Sequence, residues 1–259
     1  MNAGAFGLNV LFTGIFVVVL VSALFTAAKA RGRYDVVDVF WGVGFAIISV
    51  ATLLIAGPTP RGLLVALLTV VWGVRLGVHI HLRNHGKDED PRYVAILKRR
   101  GVLGMYRVYL TQAVIMILVS LPVQAASYET APIGLLDYLA VLLWVVGFAF
   151  ESVGDWQLTR FRNDPASKGQ VMDRGLWRYT RHPNYFGDAV VWWGLFLFAT
   201  HHWVGLLTVV APIAMTFTLA NGTGKPMLEK GMEKRRPGYA DYVRRTSGFV
   251  PWPPKKAAS

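Results

Sequence analysis

Long apolar runs dominate this chain, and they restrict its fold more than any other feature. A helix that crosses a bilayer needs about 20 mostly apolar residues. Runs of that kind lie at 8–28, 36–56, 62–82, 106–126 and 135–153, and two shorter ones follow at 185–200 and 203–220. His201 and His202 separate the last two and read as a turn at the membrane surface. Of the 259 residues 54% are hydrophobic and only 16% charged, against roughly 25% charged in soluble domains. Seven spans are therefore predicted, in an all-α polytopic membrane protein. Lipid offers no partner for open backbone groups, which favours helices. The first run ends near Ala28-Lys29-Ala30, which resembles a signal-peptidase site. No positive charge precedes it, and it is too long for a signal-peptide core, so a retained helix is expected.

The cations support the count. The net charge is +12, from 27 Lys and Arg against 15 Asp and Glu. Sorted by loop, and with Arg107 at the edge of the fourth run counted in the loop before it, 25 of the cations fall after odd-numbered spans, Arg61 falls after the second span, and Arg75 lies inside the third. Cytoplasmic loops carry such an excess, so the N-terminus is expected outside and the C-terminus in the cytoplasm. The loops account for the basic charge, and a nucleic-acid partner is not expected. Cysteine is absent, which excludes a disulfide scaffold, thiolate metal sites and a Cys nucleophile. The six His form no compact set with carboxylates, so no metal site is expected. No repeat or linker divides the chain, and residues 1–259 read as one membrane-embedded domain.

Ionisable groups within a span cost at least ~2.5–3.5 kcal/mol on insertion scales and tend to face a cavity or a partner. Four groups stand out: Asp35 with Asp38, Arg75 with His79, Glu151 with Asp155, and Asn184 and Tyr185 with Asp188. Most lie near the cationic ends of their spans, and a polar cavity open to the cytoplasm accounts for their convergence. The loop after the fifth span adds Arg160, Arg162, Arg178 and Arg181, whose guanidinium forks suit phosphate oxygens. Trp177, Tyr179 and Tyr185 offer flat faces for an aromatic base. There is no GxGxxG or Walker A pattern, so a nucleotide would have to be held by side chains. The competing reading of the same cations is contact with anionic lipid headgroups.

The run Gly175-Leu176-Trp177-Arg178-Tyr179-Thr180-Arg181-His182-Pro183-Asn184-Tyr185 resembles the C-terminal signature of the steroid 5-alpha-reductase-like membrane enzymes. More closely, the chain looks like the bacterial DUF1295 group. Tyr34-Asp35-Val36-Val37-Asp38, Trp72-Gly73-Val74-Arg75-Leu76 and Glu89-Asp90-Pro91-Arg92-Tyr93 carry that likeness. The Arg-His-Pro-x-Tyr core is shared with sterol reductases and isoprenylcysteine carboxyl methyltransferases. The resemblance implies a bacterial inner-membrane, NADPH-dependent reductase that acts on an activated carbon–carbon double bond of a lipophilic substrate. It implies cofactor contacts from Arg75, Glu151, Asp155, Arg162, Asn184 and Asp188. Arg178, Tyr179, Arg181, His182 and Tyr185 of the motif, with Glu229 and the run 229–242, would complete the pocket.

The chain departs from the steroid reductases on its second and third spans. Their Gln-Glu pair and Tyr, which hold the steroid ketone, are missing; Asp38 is the nearest acid and Trp72 stands near the Tyr position. Asp38, His79 and Trp72 are therefore the candidate catalytic residues, with Asp38 or His79 as proton donor. The alternatives are an S-adenosylmethionine-dependent methyltransferase of the same architecture and a non-enzymatic lipid-binding or transport protein. S-adenosylmethionine has no phosphates to engage several arginines, which favours NADPH.

Overall fold

A computed structural model describes residues 2–255. The protein is all-α, with helices α1 (Ala3–Arg31), α2 (Val36–Ala56), α3 (Pro60–Asn84), α4 (Pro91–Ser127), α5 (Leu135–Asn163), α6 (Pro183–Leu197), α7 (Trp203–Leu206), α8 (Val210–Ala220), α9 (Lys225–Glu229), α10 (Met232–Arg235) and α11 (Tyr239–Arg245). Helix ends follow local chemistry. Thr59 accepts from the Gly62 amide ahead of Pro60, and Asp90 accepts from the Arg92 amide ahead of Pro91, the side-chain caps and first-turn prolines that satisfy amides without intrahelical acceptors.

Among the described residues six stretches are long and apolar enough to cross a membrane: α1 to α5 and the Trp203–Arg235 stretch. The expected sixth span is the exception. Helix α6 has 15 residues, about 22 Å at the α-helical rise, against a hydrocarbon layer of about 30 Å. Helix α4 also differs from expectation, since it begins at Pro91 and breaks at Gly101 (φ 64°, ψ −170°). Lys98, Arg99 and Arg100 end its first segment, too charged for any hydropathy reading to join to the span that follows.

The chain divides into two compact units. Unit one holds residues 1–137 and 195–211, and unit two holds 138–194 and 212–259. In unit one, α2 and α3 meet backbone to backbone: a methyl on Gly42 would lie 2.3 Å from the Gly73 carbonyl oxygen. Small residues permit this approach where lipid gives helices no hydrophobic reason to associate. Helix α1 is tied in by polar groups. Buried Asn9 donates to Gln124 (2.8 Å) and Thr52 (3.2 Å), and Thr13 donates to the same Gln124 oxygen at 2.9 Å.

A buried ion pair joins the start of α3 to the start of α5. Arg61 Nε and Nη2 meet the two oxygens of Asp137 at 2.7 and 2.9 Å, and the other contacts of Arg61 are the carbonyls of Ala131 and Pro132. Neither side chain is more than 1% exposed. Such a pair stabilises only when both partners are present, because one alone is an uncompensated charge. Arg61→Met is expected to cost about 3–5 kcal/mol, read as a large fall in the thermal unfolding midpoint in detergent. The double variant Arg61→Met/Asp137→Leu should recover part of that loss; a double variant less stable than the single one would contradict this account.

Candidate functional site

In unit one the acids at the start of α2 are taken up by neighbouring donors. Glu89 accepts from the backbone amides of Tyr34 (2.5 Å) and Asp35 (2.9 Å). Its carboxylate thus holds the turn that leads into α2, at the end of the helix where the dipole favours negative charge. Asp35 is 3% exposed and receives Arg33 Nε at 2.9 Å. Asp38, one turn on, accepts from the Tyr93 hydroxyl at 2.6 Å and from Arg92 at 2.9 Å. Burial works to raise the pKa of the Asp90 carboxyl, but hydrogen bonds from the Arg92 side chain and amide hold it below the usual range.

The three candidate catalytic residues therefore fall in different surroundings. Both oxygens of Asp38 already act as acceptors, so as a proton donor it would have to release Tyr93 or Arg92. Trp72 is fully buried, edge-on to Phe45 at 5.7 Å, and packs as core. His79 and Arg75 are half-buried one turn apart on α3.

Unit two is organised around Arg181. Its Nε meets Glu229 at 2.8 Å, and its Nη1 donates to the carbonyls of Thr246 (2.8 Å) and Val243 (3.2 Å). The same Glu229 oxygen lies 3.0 Å from His182 Nε2, and the His182 ring stacks on Tyr185 at 9° and 5.5 Å. The C-terminal residues close over this loop. Thr180 donates to the Phe249 carbonyl (2.7 Å), the Arg181 amide to Ser247 (2.9 Å), and the Tyr242 hydroxyl to the Trp177 carbonyl (2.5 Å). The Trp177 indole in turn donates to the Gly154 carbonyl on α5 at 3.0 Å. Arg181, His182 and Glu229 thus form a frame that holds the loop, with the arginine turned to protein acceptors.

Beside the frame, α5 and α6 pack closely, and a methyl on Gly187 would lie 2.3 Å from the Glu151 amide. This places the acids Glu151, Asp155 and Asp188, each under a tenth exposed, on the two packed helices. Asn184 donates to Asp155 at 3.0 Å. Its Oδ1, like His182 Nδ1, is buried and has no hydrogen-bond partner among the described residues. A buried amide oxygen without a donor is costly, and it is the kind of atom a ligand N–H would satisfy. Arg162, Arg178 and Tyr179 are exposed at the end of α5 and in the loop.

The family model for the protein of unknown function DUF1295 matches residues 24–246. The chain belongs to the DUF1295 family. The chain is also similar to the uncharacterized protein C594.04c of Schizosaccharomyces pombe, with 23% identity over 242 residues that cover 82% of this chain and 67% of that protein. No solved structure matches.

Several residues that shape the site of this DUF1295 protein escape a linear reading. Tyr93 and Tyr242 act through contacts 55 and 65 residues away in sequence, and a lone Tyr carries no local sign of such a partner. The signals available were coarse: Tyr93 lies in the Glu89-Asp90-Pro91-Arg92-Tyr93 motif, which had no assigned role, and Tyr242 ends the run 229–242 expected to complete the pocket.

His182 gives the frame a pH dependence. Burial lowers its pKa below the ordinary 6.5, opposed by Glu229 and assisted by Arg181 and Lys225. The unfolded chain then takes up the proton first as pH falls, so stability is full above about 6.5 and declines below it. The thermal midpoint is expected to fall between pH 7.5 and 5.5, with a shallower fall in His182→Gln; equal slopes would assign the dependence elsewhere.

Proposed function

We propose that this protein is an integral-membrane, NADPH-dependent reductase that saturates an activated carbon–carbon double bond in a lipophilic substrate, as its resemblance to the steroid 5-alpha-reductases implies. The observation that carries the reading is the Asn184–Asp155 pair in unit two. Asn184 presents a buried acceptor without a donor, held in place by Asp155. A nicotinamide carboxamide has the N–H groups that such an oxygen lacks. Arg162 and Arg178 are exposed near the same helix end and loop, and their forks suit phosphate oxygens. NADPH would supply the hydride. The protein's part is to orient the ring, balance the phosphate charge and exclude water. Here Asp155 fixes the Asn184 amide, Tyr185 stacks on His182, and Glu229 with Arg181 holds that histidine.

Seven crossings, with the N-terminus outside and the C-terminus cytoplasmic, belong to the same proposal. Within unit one His201 Nε2 lies 3.3 Å from Asp137, in the first turn of α5. That contact supports a chain that leaves along α5 and recrosses before His201, with α6 and the turn after it as the return. The cysteine-free sequence makes single-Cys labelling a clean test. With a membrane-impermeant maleimide, Thr130→Cys and His202→Cys are expected to react from the outside and Lys87→Cys from the cytoplasm. Reaction of His202→Cys from the Lys87 side would leave six crossings.

Thermal shift in detergent tests the cofactor. NADPH is expected to raise the unfolding midpoint, NADH less so, and S-adenosylmethionine and S-adenosylhomocysteine not at all. Arg162→Ala should weaken the NADPH response. Stabilisation by S-adenosylmethionine alone would make the protein a methyltransferase and overturn the reductase reading.

A further inference from the structure

The break in α4 creates a second candidate binding place, within unit one and lined by none of the residues of the candidate cofactor site. At Gly101 the helix changes course (φ 64°, ψ −170°), and beside the break is a cavity of about 390 Å³ lined by Arg100, Leu103, Gly104 and Arg107. Arg100, the last residue before the break, and Arg107, in the segment after it, both line this notch. Gly104 makes room for this. A methyl there would lie 2.2 Å from Arg100 Cβ and 3.5 Å from its Cδ, so the arginine stem runs over the bare glycine.

Both arginines are exposed, and neither guanidinium has an ion pair or hydrogen bond among the described residues. Helix α4 contains no Asp or Glu. Of the acids just before it, Glu89 is engaged by the amides of Tyr34 and Asp35, and Asp90 by Arg92. The notch also lies where the charged segment ends and the membrane-crossing segment begins. Leu103 is 62% exposed and Val102 42%, apolar surface at the edge of the bilayer.

We infer that this notch binds the phosphate of an anionic glycerophospholipid. The two guanidinium groups meet the phosphate oxygens, and Leu103 and Val102 meet the first part of the acyl chains. Basic pockets beside membrane helices bind such headgroups, and two planar forks bind a phosphate more specifically than scattered surface cations. The charge, the cavity and the adjoining apolar side chains together describe a lipid. A phosphorylated solute would use only the first two.

Native mass spectrometry of the full-length protein, released from micelles with phosphatidylglycerol, reads the occupancy directly. Arg100→Gln/Arg107→Gln is expected to weaken the tightest-bound lipid by about thirtyfold. Lys98→Gln/Arg99→Gln, which removes the same charge from the two positions just before Arg100, should change it by no more than about threefold. Gly104→Ala keeps every charge and should still lose the lipid, since its methyl displaces Arg100. Equal loss in the two double variants, or full retention in Gly104→Ala, would reduce the notch to general surface attraction and overturn the inference. Displacement of the lipid by millimolar inorganic phosphate would also overturn it, in favour of a soluble phosphate site. Thermal midpoints in detergent micelles that contain phosphatidylcholine, expected to be unchanged in the double variants, separate lipid loss from misfolding. Binding of NADPH plays no part in this readout.

Discussion

A bilayer gives the polypeptide nothing to hydrogen-bond with, and the helical architecture of this protein and its buried polar clusters follow from that constraint. Backbone groups must find partners within the chain, hence the all-helical architecture. Polar side chains obey the same rule and gather in clusters that fasten helices together. Asn9, Thr13, Thr52 and Gln124 tie α1 to α2 and α4, and Arg61 with Asp137 ties the start of α3 to that of α5. Some groups nearer the ends of the helices are held by protein partners too, as Glu89 is by the amides of Tyr34 and Asp35 and Arg181 by Glu229 and two carbonyls.

Against this background two of the buried atoms without a hydrogen-bond partner stand out by their place. Asn184 Oδ1 and His182 Nδ1 are buried in unit two beside a frame whose other polar atoms are engaged. The frame is built from distant parts of the chain, with the C-terminal residues bonded to the loop before α6 through Thr180, Arg181 and Trp177. A rigid surround with a few unanswered polar atoms is what a preorganised ligand site requires. In unit one, by contrast, Asp38 is answered twice and Trp72 is enclosed.

The helices were readable in the sequence because span length and loop charge are local properties. The caps at Thr59 and Asp90 and the turn at His201 and His202 follow from the same local chemistry, and His202 indeed accepts from the Val204 amide at the start of α7. Two boundaries were not readable. Lys98, Arg99 and Arg100 hid the helix that precedes the Gly101 break, since hydropathy treats charge as the end of a span. Helix α6 stops at Leu197, three residues before the apolar run does. The Arg-His-Pro-x-Tyr motif drew attention to Arg181, His182 and Asn184, but not to their division of labour. That division depends on Glu229 and the carbonyls of residues 243 and 246, some 50–65 positions away.

The central claim is that Asn184 recognises the carboxamide of a nicotinamide ring. Equilibrium titration of NADP+ against its 3-acetylpyridine analogue isolates that contact, because the analogue keeps the phosphates and both ribose groups and lacks only the amide N–H donors. The account predicts saturable NADP+ binding, with the analogue weaker by about tenfold, the value of one neutral hydrogen bond to a buried acceptor. Equal affinity for the two, or no saturable binding of either, would contradict it.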